Sequence, residues 1–230
     1  MIQTSTANKK ADRLSIVYYT DPLCCWSWAM ERHWLRFMEE YKDSISVRYC
    51  MTGLIESWQN YNDTVNCISK PIQMGPLWMQ ASHISGQKMA SDIWVKDPPA
   101  SSYLACMAVK CAFLQSDQAG IAYLRALREA LMLDSVNIAK LSSLYTIARQ
   151  AAKAGPLDAD RLYEDIQNGK GKAAFTDDLK EVSYMNITRS PSLLASYGDK
   201  ARMLCGFRPY EDLLDFFNEI HPLTELTVFK

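Results

Sequence analysis

Leu14 to Tyr19, LSIVYY, is a short apolar run rich in β-branched and aromatic residues, and it reads as a strand covered on both faces. Asp21-Pro22 breaks the run. A helix is expected to begin at Cys24 or Cys25, because Met30, Trp34, Phe37, Met38 and Tyr41 recur at helical spacing. From Ser44 to Met51 the pattern alternates, with Ile45, Val47, Tyr49 and Met51 on one side, as a second strand requires. The opening is therefore β-α-β, with Cys24 and Cys25 at the strand-to-helix turn.

Gly53 to Ser102 changes character: it is rich in Trp, Tyr, Asn, Ser and Pro, with Trp58, Trp78 and Trp94 spread through it. From Tyr103 three helical stretches follow, and Gly155-Pro156 ends the third. Asp158 is placed to cap a shorter helix that Gly169 closes. Ala173 to Met185 is helical again, with Phe175, Leu179 and Val182 on one face. SPSLLASYG and ARMLCGF read as a β-hairpin turning at Gly198-Asp199, and Arg208-Pro209 starts a last helix with Leu213, Leu214, Phe217 and Ile220 inward. The fold class is α/β: residues 14–52 and 172–222 form one body, 53–171 are an inserted helical region, and residues 1–13 are a polar lead-in.

Composition narrows the function. The chain has 230 residues, 48% hydrophobic and 22% charged, with a formal net charge of -1, so nothing in its overall charge attracts nucleic acid or an anionic membrane. The lead-in lacks the apolar middle of a secretory signal, and no stretch approaches the ~18 apolar residues of a membrane span. The chain reads as soluble and cytoplasmic. Its seven cysteines include no CxxC pair and no Cys/His cluster at zinc spacing, so no metal is expected, and most of them read as small core hydrophobes.

The turn at TDPLCCWSWAME carries the chemistry. A thiol in the first turn of a helix faces unpaired N–H groups and the positive end of the macrodipole, which favour the reactive thiolate. Ser27, three positions past Cys24, is the side chain best placed to hydrogen-bond that sulfur, though it equally suits a plain helix residue. Cys25 projects elsewhere and reads as structural. One of Trp26 and Trp28 belongs in the core and the other lines a groove. Asp21 reads as a turn former, and His33 as a surface or packing residue. Pro191 stands at the entry of a strand, where proline loses no central ladder bond.

Three ordered segments, YYTDPLCCWSWAME, Gly75 to Ala112 and ITRSPSLL, together resemble the DsbA family. The resemblance runs from Ser15 to Ile220. It implies a thioredoxin fold interrupted by a helical insertion, with Cys24 on the nucleophilic cysteine and Pro191 on the cis proline facing it. Ser190 then offers its backbone to a bound peptide or glutathione, and Trp26 borders the substrate. Ser27 falls where the family has its resolving cysteine, so an internal two-electron couple between positions 24 and 27 is missing. Three functions follow from the resemblance. The first is thiol-disulfide exchange by Cys24 alone, with protein thiols or glutathione as partner and no cofactor beyond glutathione as co-substrate. The second is a protein-binding adaptor whose docking surface is the aromatic stretch from Gly53 to Trp94. The third is a glutathione-dependent transferase or isomerase of the kappa type.

Overall fold

A computed structural model describes residues 13–223. All but the last residue of the expected lead-in, 1–13, therefore lies outside the described residues. Strand β1 (Leu14–Thr20) is buried along its second half and lies inside a four-stranded sheet of order β2-β1-β3-β4. It runs parallel to β2 (Ile45–Met51), with Tyr18 opposite Tyr49, and antiparallel to β3 (Ser192–Tyr197), with Tyr18 opposite Leu193. The hairpin partner β4 (Lys200–Cys205) completes the sheet. This is a thioredoxin-type α/β arrangement.

Helix α1 (Cys25–Glu40) crosses between β1 and β2 and carries its apolar stripe inward, where Trp34 stacks on Phe37 at 5.8 Å between ring centroids. The C-terminal helix, named α9 after its place in the chain (Tyr210–Ile220), seals the same face: Phe217 stacks on Phe37 at 4.4 Å. Offset ring pairs of this kind add to what area burial alone contributes.

Between β2 and β3 lie α2 (Met74–Ser85), α3 (Ile93–Lys96), α4 (Tyr103–Phe113), α5 (Asp117–Met132), α6 (Leu141–Ala152), α7 (Ala159–Gln167) and α8 (Lys170–Tyr184). The aromatic stretch is thus more regular than its composition suggests. Its tryptophans are anchors: Trp78 and Trp94 are buried edge to face at 5.2 Å, and Trp58 donates its indole N–H to the Pro99 carbonyl at 2.8 Å. Asp158 caps α7 by accepting the N–H groups of Asp160 and Arg161. Helix α8 starts three residues earlier than its apolar pattern indicates. Gly169, at φ +73°, turns the chain out of α7 and at once into α8, a left-handed conformation that glycine adopts without a Cβ penalty. No described helix is long and apolar enough to cross a membrane.

Two buried ion pairs tie this helical region to the sheet. Lys110 of α4 meets Asp178 of α8 at 2.9 Å, and the same carboxylate accepts the N–H of Met51 at the end of β2. Arg128 of α5 meets Glu31 of α1.

Candidate functional site

The cysteines sit where β1 hands over to α1. Asp21 makes the turn by accepting the Leu23 N–H at 2.8 Å, and Cys24, with extended backbone dihedrals, is the N-cap of the helix. A cap normally supplies a side-chain oxygen to an orphaned N–H. Here the Cys24 sulfur does so, accepting the Ser27 N–H at 3.4 Å.

Across from it, Ser190 and Pro191 approach from the entry to β3. The Ser190–Pro191 bond is cis, and the Ser190 carbonyl accepts the Cys24 thiol at 3.2 Å. The Ser190 hydroxyl is hydrogen-bonded to the Thr52 hydroxyl at 2.8 Å, and the Pro191 carbonyl accepts the Gly206 N–H at 2.7 Å. The Ser190 carbonyl is therefore occupied by the Cys24 thiol in this structure.

Cys24 lines a groove of about 620 Å³ together with Cys25, Trp26, Leu54, Met74, Leu77, Thr188, Arg189 and Ser190. The loop of residues 61–66, which carries Tyr61, Asn62 and Asn66, forms its far wall, pinned by paired backbone hydrogen bonds between Asp63 and Ile68. Trp26 is the half-exposed groove residue. Trp28 turns into the core with its indole N–H on the Lys88 carbonyl at 3.0 Å, so the two tryptophans divide as alternation around a helix dictates. His33 packs on Phe207 at the surface, 6.0 Å between rings, away from the thiol.

The sequence missed a polar layer beneath the turn. Asp21 is fully buried and does far more than form a turn: its carboxylate also accepts from the Leu54 N–H at 2.7 Å, the Ser102 hydroxyl at 2.9 Å and the Cys106 thiol at 3.3 Å. Beside it, Arg128 donates to Glu31, to the Thr20 hydroxyl and to the Asp21 carbonyl. The available signal was an arginine on the apolar stripe of α5, between Leu124, Leu127 and Leu131.

The helix start alone predicts a thiolate, yet the structure favours the thiol. Cys24 is only 4% exposed, and burial is the largest influence, pushing its titration up. The Ser27 hydroxyl and N–H pull the other way, the Asp21 charge adds to the rise, and the Arg128 charge opposes it. Burial outweighs the donors because a buried anion loses its hydration. Burial likewise pushes Cys25 well up, Cys111 to about 11 and Cys50 to about 12. Thiols that titrate higher folded than unfolded stabilise the fold fully below the ordinary thiol value of roughly 8.5, and that contribution is lost as pH rises through the folded values. Urea midpoints should therefore hold level from pH 7 to 8 and then fall steadily above pH ~9. A midpoint unchanged up to pH 11 would contradict this.

Among the described residues, no three His, Cys, Asp or Glu side chains are grouped to hold a metal, and all seven cysteines are free thiols. The groove offers a sulfur, a guanidinium and aromatic walls.

A family model described as Thioredoxin matches residues 18–212. Among curated proteins, the chain is similar to the ClpXP adapter protein SpxH of Halalkalibacterium halodurans, 28% identical over an alignment of 231 positions that covers 96% of this chain and 74% of that one. Among solved structures, it superposes on a putative protein disulfide isomerase from Nitrosomonas europaea with a TM-score of 0.75 at 20% identity, covering 91% of this chain and 99% of that one. It also superposes on the cytosolic disulfide reductase DsbM from Pseudomonas aeruginosa with GSH, with a TM-score of 0.63 at 15% identity, covering 92% and 96%.

Proposed function

Given that this chain belongs to the thioredoxin family, we propose that it carries out cytoplasmic thiol-disulfide exchange through Cys24 alone, with glutathione or a protein thiol as the second partner. Residues 14–52 and 172–222 supply the thioredoxin-like body, and 53–171 supply the groove's outer wall. The observation that carries the reading is the position of the Cys24 sulfur. It caps α1, accepts the Ser27 N–H and lies 3.2 Å from the carbonyl of Ser190 in a groove large enough for a tripeptide.

The Cys24 thiol loses its proton as a disulfide substrate enters and the thiolate attacks one of the two sulfurs. A Cys24–sulfur bond forms, the substrate's S–S bond breaks, and the leaving thiolate takes up a proton. On a glutathionylated substrate the thiolate takes the glutathione sulfur, so the adduct is Cys24–glutathione and the substrate leaves as a thiol; a free glutathione thiolate then attacks the adduct, giving oxidised glutathione and restoring Cys24. One free glutathione is consumed for each substrate thiol released. Ser27 donates to the sulfur in both steps, Ser190 and Pro191 border the incoming chain, and Trp26 covers its side. Cys25 lines the same groove but has no role in either step.

Reduction of a glutathionylated peptide by glutathione tests this. Cys24→Ala should bring turnover to the uncatalysed rate, and Cys25→Ala should leave at least half of it. Turnover retained in Cys24→Ala overturns the reading.

The curated relatives favour a second reading. They are named as adapters, and Val65, Ile72, Met79, Ile84 and Val95 all stand exposed on the segment of residues 53–96. An adaptor on this scaffold would bind purified ClpXP in a manner sensitive to Met79→Asp and indifferent to Cys24→Ala. The transferase or isomerase reading is weaker, since the position that holds the glutathione sulfur in those enzymes is a serine and here is Cys24.

A further inference from the structure

Among the described residues, the groove beside Cys24 is lined by two charged side chains, Asp63 and Arg189. Asp63 is spent on its own loop: one carboxylate oxygen accepts the Val65 and Asn66 N–H groups at 3.0 Å, and the other accepts the Asn66 side-chain amide at 2.6 Å. Arg189 is different. Arg48 and Arg128 are each paired with a carboxylate, but the Arg189 guanidinium has no hydrogen bond or ion pair with any described residue.

The backbone that carries this cation is fixed. The Arg189 carbonyl accepts the Ser192 hydroxyl at 2.8 Å. The next residue, Ser190, is bonded to Thr52 through its hydroxyl and to the Cys24 thiol through its carbonyl. An unpaired guanidinium therefore stands on a held root, one residue from the group that touches the sulfur, and only its own side chain has to be ordered when an anion arrives. The groove's volume of about 620 Å³ lies within the roughly 300–1,000 Å³ of small-molecule sites.

We infer that Arg189 is a specificity-determining residue that receives the glycyl carboxylate of a glutathione held through its sulfur on Cys24. This rests on Cys24 being the working thiol. A guanidinium grips a carboxylate with two parallel N–H donors, and such charge-assisted pairs are stronger than neutral hydrogen bonds. Glutathione carries a carboxylate at each end, and the ends differ. The γ-glutamyl end also bears an ammonium, whereas the glycyl end is a lone anion. The ammonium calls for a free carboxylate, and Asp63, the one carboxylate among the described lining residues, has both oxygens occupied. The lone cation therefore matches the lone anion. A disulfide without that anion loses the contact, so the groove selects glutathione disulfides over neutral ones.

The test is the rate at which Cys24 acquires a glutathione adduct from oxidised glutathione, read by peptide mass spectrometry. A Cys24–sulfur bond forms, the reagent's S–S bond breaks, and one glutathione leaves with the proton of the Cys24 thiol. Arg189→Gln should slow this by about 3- to 10-fold, the worth of a charge-assisted contact open to solvent, and leave the rate with neutral 2-hydroxyethyl disulfide unchanged. Oxidised glutathione esterified at both glycyl carboxylates should react with the native protein as slowly as the free acid does with Arg189→Gln. Combining variant and ester should add no further loss. Arg189→Glu should react faster with the ester than with the acid. Equal slowing of Arg189→Gln with 2-hydroxyethyl disulfide overturns the inference, because Arg189 then acts on the thiol and not on the ligand. Losses that add when variant and ester are combined overturn it too, because the glycyl carboxylate is then not the group bound. Adduct formation needs no turnover, so these outcomes judge Arg189 alone, while turnover retained in Cys24→Ala judges the exchange reading.

Discussion

Glu31→Ala should destabilise the protein by about 3–5 kcal/mol, the usual cost of removing one partner of a buried ion pair. Glu31 is 6% exposed and Arg128 is 1% exposed, so neither charge can turn to solvent when the other is lost. The remaining partners of the guanidinium, the Thr20 hydroxyl and the Asp21 carbonyl, are neutral. The nearby Asp21 carboxylate is already shared among Leu23, Leu54, Ser102 and Cys106. Taking both charges away at once should be far milder: Glu31→Met with Arg128→Met is expected to recover most of the loss, since apolar residues of similar volume commonly replace a buried pair with little penalty. Urea denaturation of the two single variants and the double variant measures the difference. A loss below about 1 kcal/mol in Glu31→Ala would mean that the pair is solvated in a way its burial does not indicate.

Ser27→Cys should change the chemistry from one thiol to two. The Ser27 backbone nitrogen already lies 3.4 Å from the Cys24 sulfur, so a second sulfur at position 27, one turn along the same helix, comes within reach of the first. Oxidised glutathione should convert the variant to an internal disulfide, with two protein thiols oxidised and two glutathione molecules released. Mass spectrometry should then show two fewer alkylated cysteines, at 24 and 27, and a mixed glutathione adduct that no longer accumulates. The native protein under the same treatment should stop at the adduct on Cys24. If the variant also stops there, the side chain at 27 is turned away from the sulfur and the site geometry described above is wrong.

Local patterning carried the sheet, and the contacts around the thiol show why it could not carry the whole site. Apolar runs with clear breaks identified β1, β2 and the terminal hairpin, because period-two alternation and turn residues act over a few positions. The same reasoning put Cys24 at a helix start. It missed α2, where Gly75, Pro76 and two serines weaken helix propensity while Met74, Trp78 and Ala81 pack the buried face. Sequence spacing could not show the thiol's protonation either, because the burial that decides it comes from parts of the chain distant in sequence, such as Ser190, whose carbonyl lies 3.2 Å from the sulfur. Arg128 was visible as a charge on an apolar stripe, but its partner Glu31 is 97 positions away and no periodicity links them.

Asp21 has a consequence for any attempt to simplify this architecture. Its one carboxylate is satisfied partly by the turn after β1 and partly by Leu54, Ser102 and Cys106, which come from the beginning and the early middle of the insertion. Excising the helices to recover a minimal domain would strand an anion in an apolar interior, at a cost comparable to a large share of a small domain's net stability. The helices are therefore not detachable cargo, and a shortened version needs a neutral residue at position 21 before anything else is redesigned.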